Sequence, residues 1–128
     1  EEEVCVGLRL WEPGLSDEVC KARAEELLER YGLKAQRRYS PYMLSQGQQR
    51  RLAVLSVLAG GQKLLLLDEP TYGQDARSVS AIMEHLREKV EQDGLTVIFI
   101  THDTALAHAW ADKVYCLDGG RLTESEVL

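Results

Sequence analysis

The chain has few of the features that hold small secreted or metal-bound proteins together. Its 128 residues include three cysteines, Cys5, Cys20 and Cys116, and no two of them have the CxxC spacing of a zinc site. No apolar run approaches the roughly 20 residues that a helix needs to cross a bilayer. The start, Glu1-Glu2-Glu3, is the opposite of a signal peptide's basic start. We therefore expect buried free thiols in a reducing compartment.

Charge is unevenly distributed along an otherwise ordinary globular composition. The chain is 45% hydrophobic and 28% charged, and its net charge of −6 argues against a protein that coats nucleic acid. Residues 21–51 nevertheless hold eight basic and three acidic side chains. Such a stretch is more often a solvated face than a phosphate or partner contact. We therefore interpret four of its arginines as solvated, and contact with a phosphate or a partner protein is the alternative. These are Arg37, Arg38, Arg50 and Arg51.

Hydrophobic periodicity and capping residues predict several helices in the chain. Ser16 is a suitable N-cap for the first of them, and Gly94 follows the end of the third. The predicted helices cover residues 17–31, from residue 45 or 47 to about residue 59, 76–92 and 104–110.

Two continuous apolar runs predict strands. Residues 64–67 and 96–100 are bounded by polar residues, a pattern typical of strands buried on both faces. Residues 114–117 and 122–123 flank Gly119-Gly120 and predict a terminal β-hairpin. The order of elements, helices followed by alternating strands and helices, predicts an α/β fold. Its parallel sheet is covered by helices and binds ligands at the carboxyl ends of the strands.

Chemistry-bearing residues directly follow both predicted strands. Asp68 and Glu69 come after the first strand, and neighbouring carboxylates repel one another unless a cation balances them. Mg²⁺ held by Asp68, largely through water, would balance this charge and bring in nucleotide phosphates, while Glu69 could accept a proton from water. His102 follows the second strand at the same sheet edge. Each residue alone is more often structural, so the hypothesis depends on the combination.

A further candidate site lies at the start of the helix near residue 45. The Ser45 hydroxyl, a glycine that lets an anion approach the backbone at Gly47, and a helix N-terminus together favour phosphate binding. The alternative is a simple N-cap, in which Ser45 satisfies the first free amides of the helix.

Together, the order and spacing of these segments resemble the ATPase subunits of ABC transporters over nearly the whole chain. Leu44-Ser45-Gln46-Gly47-Gln48 resembles the family signature, with Gln46 where Gly is commonest. Residues 64–68 resemble the Walker B strand, and Glu69 resembles its catalytic carboxylate. Gly73-Gln74-Asp75 resembles the D-loop, with Gln74 in place of the usual Leu, and His102 matches the switch histidine.

The resemblance implies a P-loop NTPase-like α/β core with a small helical subdomain at its N-terminal end. Residues 1–59 would form the helical subdomain and signature helix, and residues 60–128 the C-terminal part of the ATPase core. Two such subunits, identical or different, would pair head to tail around ATP and Mg²⁺. Glu69 and His102 would be catalytic, and Asp68 would hold Mg²⁺.

The signature would act on the nucleotide of the second subunit. By resemblance, Ser45, Gly47 and Gln48 would contact the γ-phosphate of the partner's ATP, and Asp75 would communicate across the pair. The pair would drive a transmembrane transporter subunit. It would be a peripheral protein on the cytoplasmic face of the cell membrane, and it would not bind nucleic acid.

The phosphate-binding loop of the family, GxxxxGK[ST], does not occur in these residues. The resemblance places this loop and the glutamine loop before Glu1. We therefore expect the C-terminal portion of an ATP hydrolase, which turns over ATP in the complete protein and is inactive alone.

The subgroup and the alternatives complete the prediction. Residues 68–75 and Gly7-Leu8-Arg9-Leu10 are most similar to energy-coupling-factor importers, which implies import of a vitamin, a vitamin precursor or a metal ion. A soluble non-transport ABC-type ATPase stays open, and co-purification with a membrane subunit would separate it from a transporter. A regulatory module without its own P-loop also stays open, and an in-frame P-loop upstream would remove it.

Overall fold

The computed structural model describes residues 1–125, in which five helices accompany a parallel strand pair and a hairpin. The last three residues of the predicted α/β core, 126–128, lie outside the described residues. The helices are α1 (Glu2–Trp11), α2 (Asp17–Arg30), α3 (Gln46–Leu58), α4 (Ala76–Asp93) and α5 (Thr104–Trp110), with 3-10 turns at Lys34–Gln36 and Pro41–Met43. The strands are β1 (Leu64–Asp68), β2 (Thr96–Ile100), β3 (Val114–Asp118) and β4 (Arg121–Ser125).

The four predicted helices are present as α2 to α5, because their caps are encoded locally. The Ser16 hydroxyl accepts a hydrogen bond from the Val19 N–H at 3.3 Å and begins α2. Gly94 ends α4 with a φ of 67°, a left-handed conformation that favours glycine. Within the described part of the chain, none of the helices combines the length and apolar character of a membrane span.

The first helix, α1, is not delimited by the sequence prediction. It buries Val4, Cys5 and Leu8 and packs closely on α3. A Cβ atom at Gly7 would lie only 2.5 Å from the carbonyl oxygen of Ser56, so the missing side chain permits this approach. The contact ties the N-terminal helices into the fold.

One hydrophobic core extends across the two predicted domains. Its buried side chains come from all five helices, from β1, and from connecting segments. Its largest fully buried members are Val4, Cys20, Leu28, Leu33, Leu55, Leu58 and Ile82. The division of the chain at residue 59 remains a prediction.

The parallel strand pair brings the two sequence-predicted polar segments to one edge. β1 and β2 are hydrogen-bonded in parallel, with Leu64 opposite Thr96 and Asp68 opposite Ile100. Residues that follow the two strands, Glu69 and His102 among them, therefore meet at the carboxyl edge. This arrangement confirms the predicted parallel pairing.

The prediction that both strands are buried on both faces is wrong. Leu65 is 5% exposed and faces the core, whereas its neighbour Leu66 is 67% exposed. On β2, Ile98 and Ile100 are likewise exposed, while Val97 packs on the core. The side chains alternate because the core packs on one face only, and no described residue covers the other. We call this second face the open sheet face, defined by Leu64, Leu66, Ile98 and Ile100.

The predicted terminal hairpin is present as β3 and β4, which pair antiparallel. Gly119 and Gly120 both have positive φ values, 52° and 76°, as a two-residue hairpin turn requires. Cys116 lies exposed on β3, so the expectation of buried thiols is correct for Cys5 and Cys20 and wrong for Cys116. Burial raises the pKa of the Cys5 thiol to about 11, which keeps it uncharged.

Polar contacts fasten the C-terminal end of α2 to α4. The Tyr31 hydroxyl and His85 Nδ1 are 2.9 Å apart in the interior. Beside them, the guanidinium of Arg30 donates two hydrogen bonds of 2.7 Å to the carboxylate of Glu88. Burial lowers the pKa of His85 to about 4 and raises that of Tyr31, so both side chains are neutral near pH 7.

Candidate functional site

The carboxylate of Glu69 is held at the carboxyl edge of the parallel strands. One oxygen accepts the main-chain N–H of His102 at 2.9 Å, and the other accepts the Thr101 hydroxyl at 3.3 Å. The imidazole Nε2 of His102 lies 3.6 Å from the same carboxylate, and its side chain is 99% exposed. The structure therefore brings together the two residues predicted as catalytic.

The backbone of Glu69 is strained in a way that fixes its side chain. Its φ of 47° lies in the left-handed region, where a non-glycine residue is uncommon. The main-chain N–H of Glu69 donates to the Ile100 carbonyl at 2.8 Å, and its own carbonyl accepts from Arg50 at 2.8 Å. These bonds hold the strained turn in place and aim the carboxylate toward the residues after β2.

Asp68, the predicted magnesium ligand, ends β1 and is exposed. Among residues 1–125, no group of three or more His, Cys, Asp or Glu side chains converges to form a metal site. A single exposed carboxylate is compatible with Mg²⁺, which keeps several waters and takes its remaining ligands from phosphate. The role of Asp68 remains a prediction.

Ser45 and Gln48 form a reciprocal cap at the start of α3. The Ser45 hydroxyl oxygen accepts from the Gln48 N–H at 3.3 Å, and the Gln48 side chain accepts from the Ser45 N–H at 3.0 Å. The capping alternative is therefore correct for Ser45. The cap uses its oxygen as acceptor and leaves the hydroxyl proton free to donate to an anion.

No contact among residues 1–125 accounts for a glycine at position 47. Its backbone is not left-handed, and an added Cβ would meet the Gln74 amide at 3.6 Å, an ordinary van der Waals distance. A glycine that neither conformation nor packing requires leaves the main chain open to a group from outside. This arrangement fits the phosphate approach predicted for Gly47.

Asp75, predicted to communicate across a subunit pair, is the N-cap of α4. Its carboxylate accepts the main-chain N–H of Ser78 at 2.8 Å. This hydrogen bond lowers the pKa of Asp75, so the side chain is ionised near pH 7. Asp75 is exposed, and its role across a subunit pair remains a prediction.

Arginines of α3 connect this helix to the segment that follows β1. Arg50 bonds the Glu69 carbonyl and lies over the Tyr72 ring at 5.5 Å, and Arg51 donates to the Gln74 side chain at 2.8 Å. Both arginines are partly buried, so their interpretation as solvated surface is wrong.

The other two arginines lie elsewhere. Arg37 pairs with Glu25 at 3.1 Å, and Arg38 is exposed, as predicted. The roles of Arg50 and Arg51 escaped sequence reasoning because charge alone does not reveal what packs against a helix.

Known proteins resemble this chain in sequence and in fold. The sequence profile described as ABC transporter matches residues 2–72. A Bacillus subtilis protein named for HMP/thiamine import and ATP binding is 44% identical over 95 residues, which cover 74% of this chain and 17% of that protein. A Methanosarcina acetivorans protein named for ABC transporter ATP binding is 43% identical over 121 residues, which cover 94% of this chain and 19% of that protein.

A solved structure extends the likeness to three dimensions. A dimeric ATP-binding cassette in a post-hydrolysis state, bound to ADP and Pi, is 31% identical with a TM-score of 0.80. The match covers 96% of this chain and 55% of the cassette, and it confirms the predicted fold class. The chain thus spans about a fifth of the length of the two curated relatives and about half of the cassette.

Proposed function

Because this chain belongs to the ABC transporter family as an ATP-binding component, we propose that the complete protein hydrolyses ATP to drive import of a small solute. The observation that carries this proposal is the Glu69 carboxylate, fixed by Thr101 and His102 at the edge where parallel strands end. A fixed carboxylate beside an exposed imidazole is an arrangement suited to activating water next to a phosphate.

Each residue at this edge has a distinct task. Glu69 accepts the proton of the attacking water, and the exposed His102 turns toward the γ-phosphate. Asp68 holds Mg²⁺, largely through water, because a hard carboxylate oxygen is the ligand this ion prefers. When bound, Mg²⁺ neutralises charge on the phosphates during transfer.

The start of α3 serves the nucleotide of a second ATPase subunit, identical or different. The free hydroxyl proton of Ser45, the bare backbone at Gly47 and the helix N-terminus all favour an anion. The Gln48 side chain completes the cap with its amide oxygen, and we propose that it also contacts the γ-phosphate of that nucleotide, as predicted. The exposed Asp75 at the start of α4 communicates between the two subunits.

The rest of the cassette completes both the fold and the site. About half of the solved cassette has no counterpart in this chain, and the P-loop motif does not occur in its 128 residues. We propose that the remaining part carries the P-loop and packs on the open sheet face. In this proposal the 128-residue chain alone binds ATP weakly and does not turn it over.

The membrane partner and the solute follow from the family and from one relative. We propose a transmembrane transporter subunit as partner, with the ATPase pair docked on the cytoplasmic face of the membrane. The relative named for HMP/thiamine import supports uptake of a vitamin or a vitamin precursor, and the resemblance to energy-coupling-factor importers adds a metal ion as the other candidate. Residues 68–75, shared in pattern with energy-coupling-factor importers, support that importer type.

Two measurements test the proposal at separate levels. Calorimetric titration of the 128-residue chain with MgATP is expected to give no detectable binding, whereas the complete protein binds and hydrolyses it. Tight binding by the short chain would overturn the proposed position of the P-loop. Reconstitution of the complete protein with its membrane subunit in vesicles is then expected to couple hydrolysis to solute uptake, and hydrolysis without any co-purifying membrane subunit would favour a soluble ATPase.

A further inference from the structure

A single amide side chain joins the D-loop to the start of the signature helix. The Gln74 NH₂ group donates to the Gly47 carbonyl at 3.1 Å, and the Gln74 oxygen accepts from Arg51 at 2.8 Å. Gln74 lies in Gly73-Gln74-Asp75, at the position where leucine is usual in the family that the segment resembles. A leucine could form neither bond, because it has no donor and no acceptor.

The Gln74 amide belongs to a connected series of hydrogen bonds. Arg51 also donates to the Ser78 hydroxyl at 3.3 Å, and the main-chain N–H of Ser78 is the group that Asp75 caps. The Gln74 main-chain N–H donates to the Thr71 carbonyl at 3.1 Å, which keeps the loop in a turn. Gln74 therefore contacts α3 at two successive turns and is anchored in its own loop.

The position of these bonds matters because the two segments they join, the start of α3 and the D-loop, both carry candidate interface residues. Gly47 lies two residues after Ser45, and Asp75 is the immediate neighbour of Gln74. Gln74 and Arg51 are both partly buried, so their charge-assisted hydrogen bond is shielded from water more than a surface pair would be. A displacement of α3 relative to the D-loop would break two hydrogen bonds at once.

We propose that Gln74 is a positioning residue that makes the start of α3 and the D-loop move as one rigid body. This inference depends on the proposed function, in which Ser45 and Asp75 face the second subunit of an ATPase pair. Gln74 acts through Gly47 and Arg51 and touches no nucleotide itself. With this tie in place, closure of the pair delivers the signature and the D-loop together.

The test compares Gln74→Leu and Gln74→Glu with the parent in the complete protein. The leucine variant loses both bonds, and the glutamate variant keeps the acceptor for Arg51 and loses the donor to Gly47. Gln92→Leu is the matched control, because Gln92 is exposed on α4 away from these contacts. The readouts are thermal unfolding, amide hydrogen exchange at the start of α3 and in the D-loop, and kcat and KM for ATP hydrolysis.

The two levels of readout separate this inference from the proposed function. Gln74→Leu is expected to raise hydrogen exchange at both segments by about tenfold and to lower kcat by about tenfold, with little change in KM or thermal midpoint. Gln74→Glu is expected to recover part of kcat, and Gln92→Leu to match the parent.

Unchanged hydrogen exchange in Gln74→Leu would overturn the proposed rigid connection between the start of α3 and the D-loop. Raised exchange with an unchanged kcat would overturn the positioning role of Gln74. A parent protein that does not hydrolyse ATP would instead overturn the proposed function, and the exchange data would then decide the tie alone.

Discussion

The carboxylate of Glu69 accepts the main-chain N–H of His102 at 2.9 Å, so the backbone after β2 holds the side chain after β1. The His102 imidazole is treated differently, since it is 99% exposed and its Nε2 lies 3.6 Å from the carboxylate. One partner is thus fixed before any ligand arrives, while the other is free to turn. This asymmetry fits the roles proposed for the two residues, a base aligned with water for Glu69 and a group that moves onto a phosphate for His102.

The first prediction concerns the Glu69 carboxylate. Glu69→Gln keeps the length of the side chain and an oxygen that can accept from His102, but it cannot take a proton. In the complete protein we expect MgATP binding to persist and kcat to fall at least about 100-fold, as for loss of a general base. Steady-state hydrolysis and calorimetry measure the two effects. Glu91→Gln, an exposed change on α4, is the control, and a parent-like rate in Glu69→Gln would remove the assignment.

The second prediction separates the capping role of Ser45 from its proposed phosphate contact. Aspartate caps helices as well as serine, so Ser45→Asp is expected to leave the thermal midpoint nearly unchanged. Its negative charge would face the partner's γ-phosphate, and we expect ATP-driven pairing to weaken at least about tenfold. Light scattering in the Glu69→Gln background measures the pairing.

A matched cap on another helix provides the control for this experiment. Ser16→Asp makes the same exchange at the N-cap of α2 and is expected to leave pairing intact. Pairing of the Ser45→Asp protein with parent affinity would place Ser45 outside the nucleotide interface and leave it with its capping role alone.

Local patterns predicted the parts of this fold that local chemistry determines. Ser16 and Gly94 mark helix ends because capping depends on a few neighbouring residues. The meeting of Glu69 with His102 was also predictable, since parallel strands place their carboxyl ends at one edge.

Burial and long-range polar contacts were not predictable in the same way. An apolar run does not show whether a second layer covers the far face of a strand. The sequence therefore predicted a buried Leu66, which is exposed in the structure. The sequence predicted a solvated Arg50, because the contact of this side chain with the Glu69 carbonyl depends on how α3 packs. The signal for Gln74 was present, as a polar residue where leucine is usual, but its partners were visible only in three dimensions.

The third prediction tests whether the open sheet face is covered in the complete protein. In the 128-residue chain, Leu66→Ala is expected to change the free energy of unfolding by less than about 0.5 kcal/mol, because Leu66 is exposed. Leu65→Ala, one residue away and facing the core, is expected to lower it by about 2–5 kcal/mol. In the complete protein both variants are expected to be destabilised, as urea unfolding would measure. Neutral behaviour of Leu66→Ala there would contradict packing on this face.

The last prediction concerns pH and the buried contact between Tyr31 and His85. The pKa of His85 is about 4 in the folded chain, against an ordinary value of 6.5. Between these values the unfolded chain binds a proton at this site and the folded chain does not. Protonation of His85 therefore does not lower the free energy of unfolding above about pH 6.5. Below that value the free energy of unfolding falls by roughly 1.4 kcal/mol per pH unit as the pH drops toward 4. Urea unfolding at a series of pH values measures this slope.

Two variants isolate the contribution of this histidine from that of the carboxylates. Glu88 and Asp93 also have lowered pKa values, through hydrogen bonds from Arg30 and Lys89, and they add to acid sensitivity in the parent and the variants alike. His85→Gln removes the imidazole titration, so the stability of this variant is expected to fall less steeply between pH 6.5 and 4. His102→Gln replaces an exposed imidazole outside the Tyr31–His85 contact and is the histidine control for this comparison. Equal slopes for the parent and His85→Gln would mean that the folded chain accepts the proton at His85 as readily as the unfolded one.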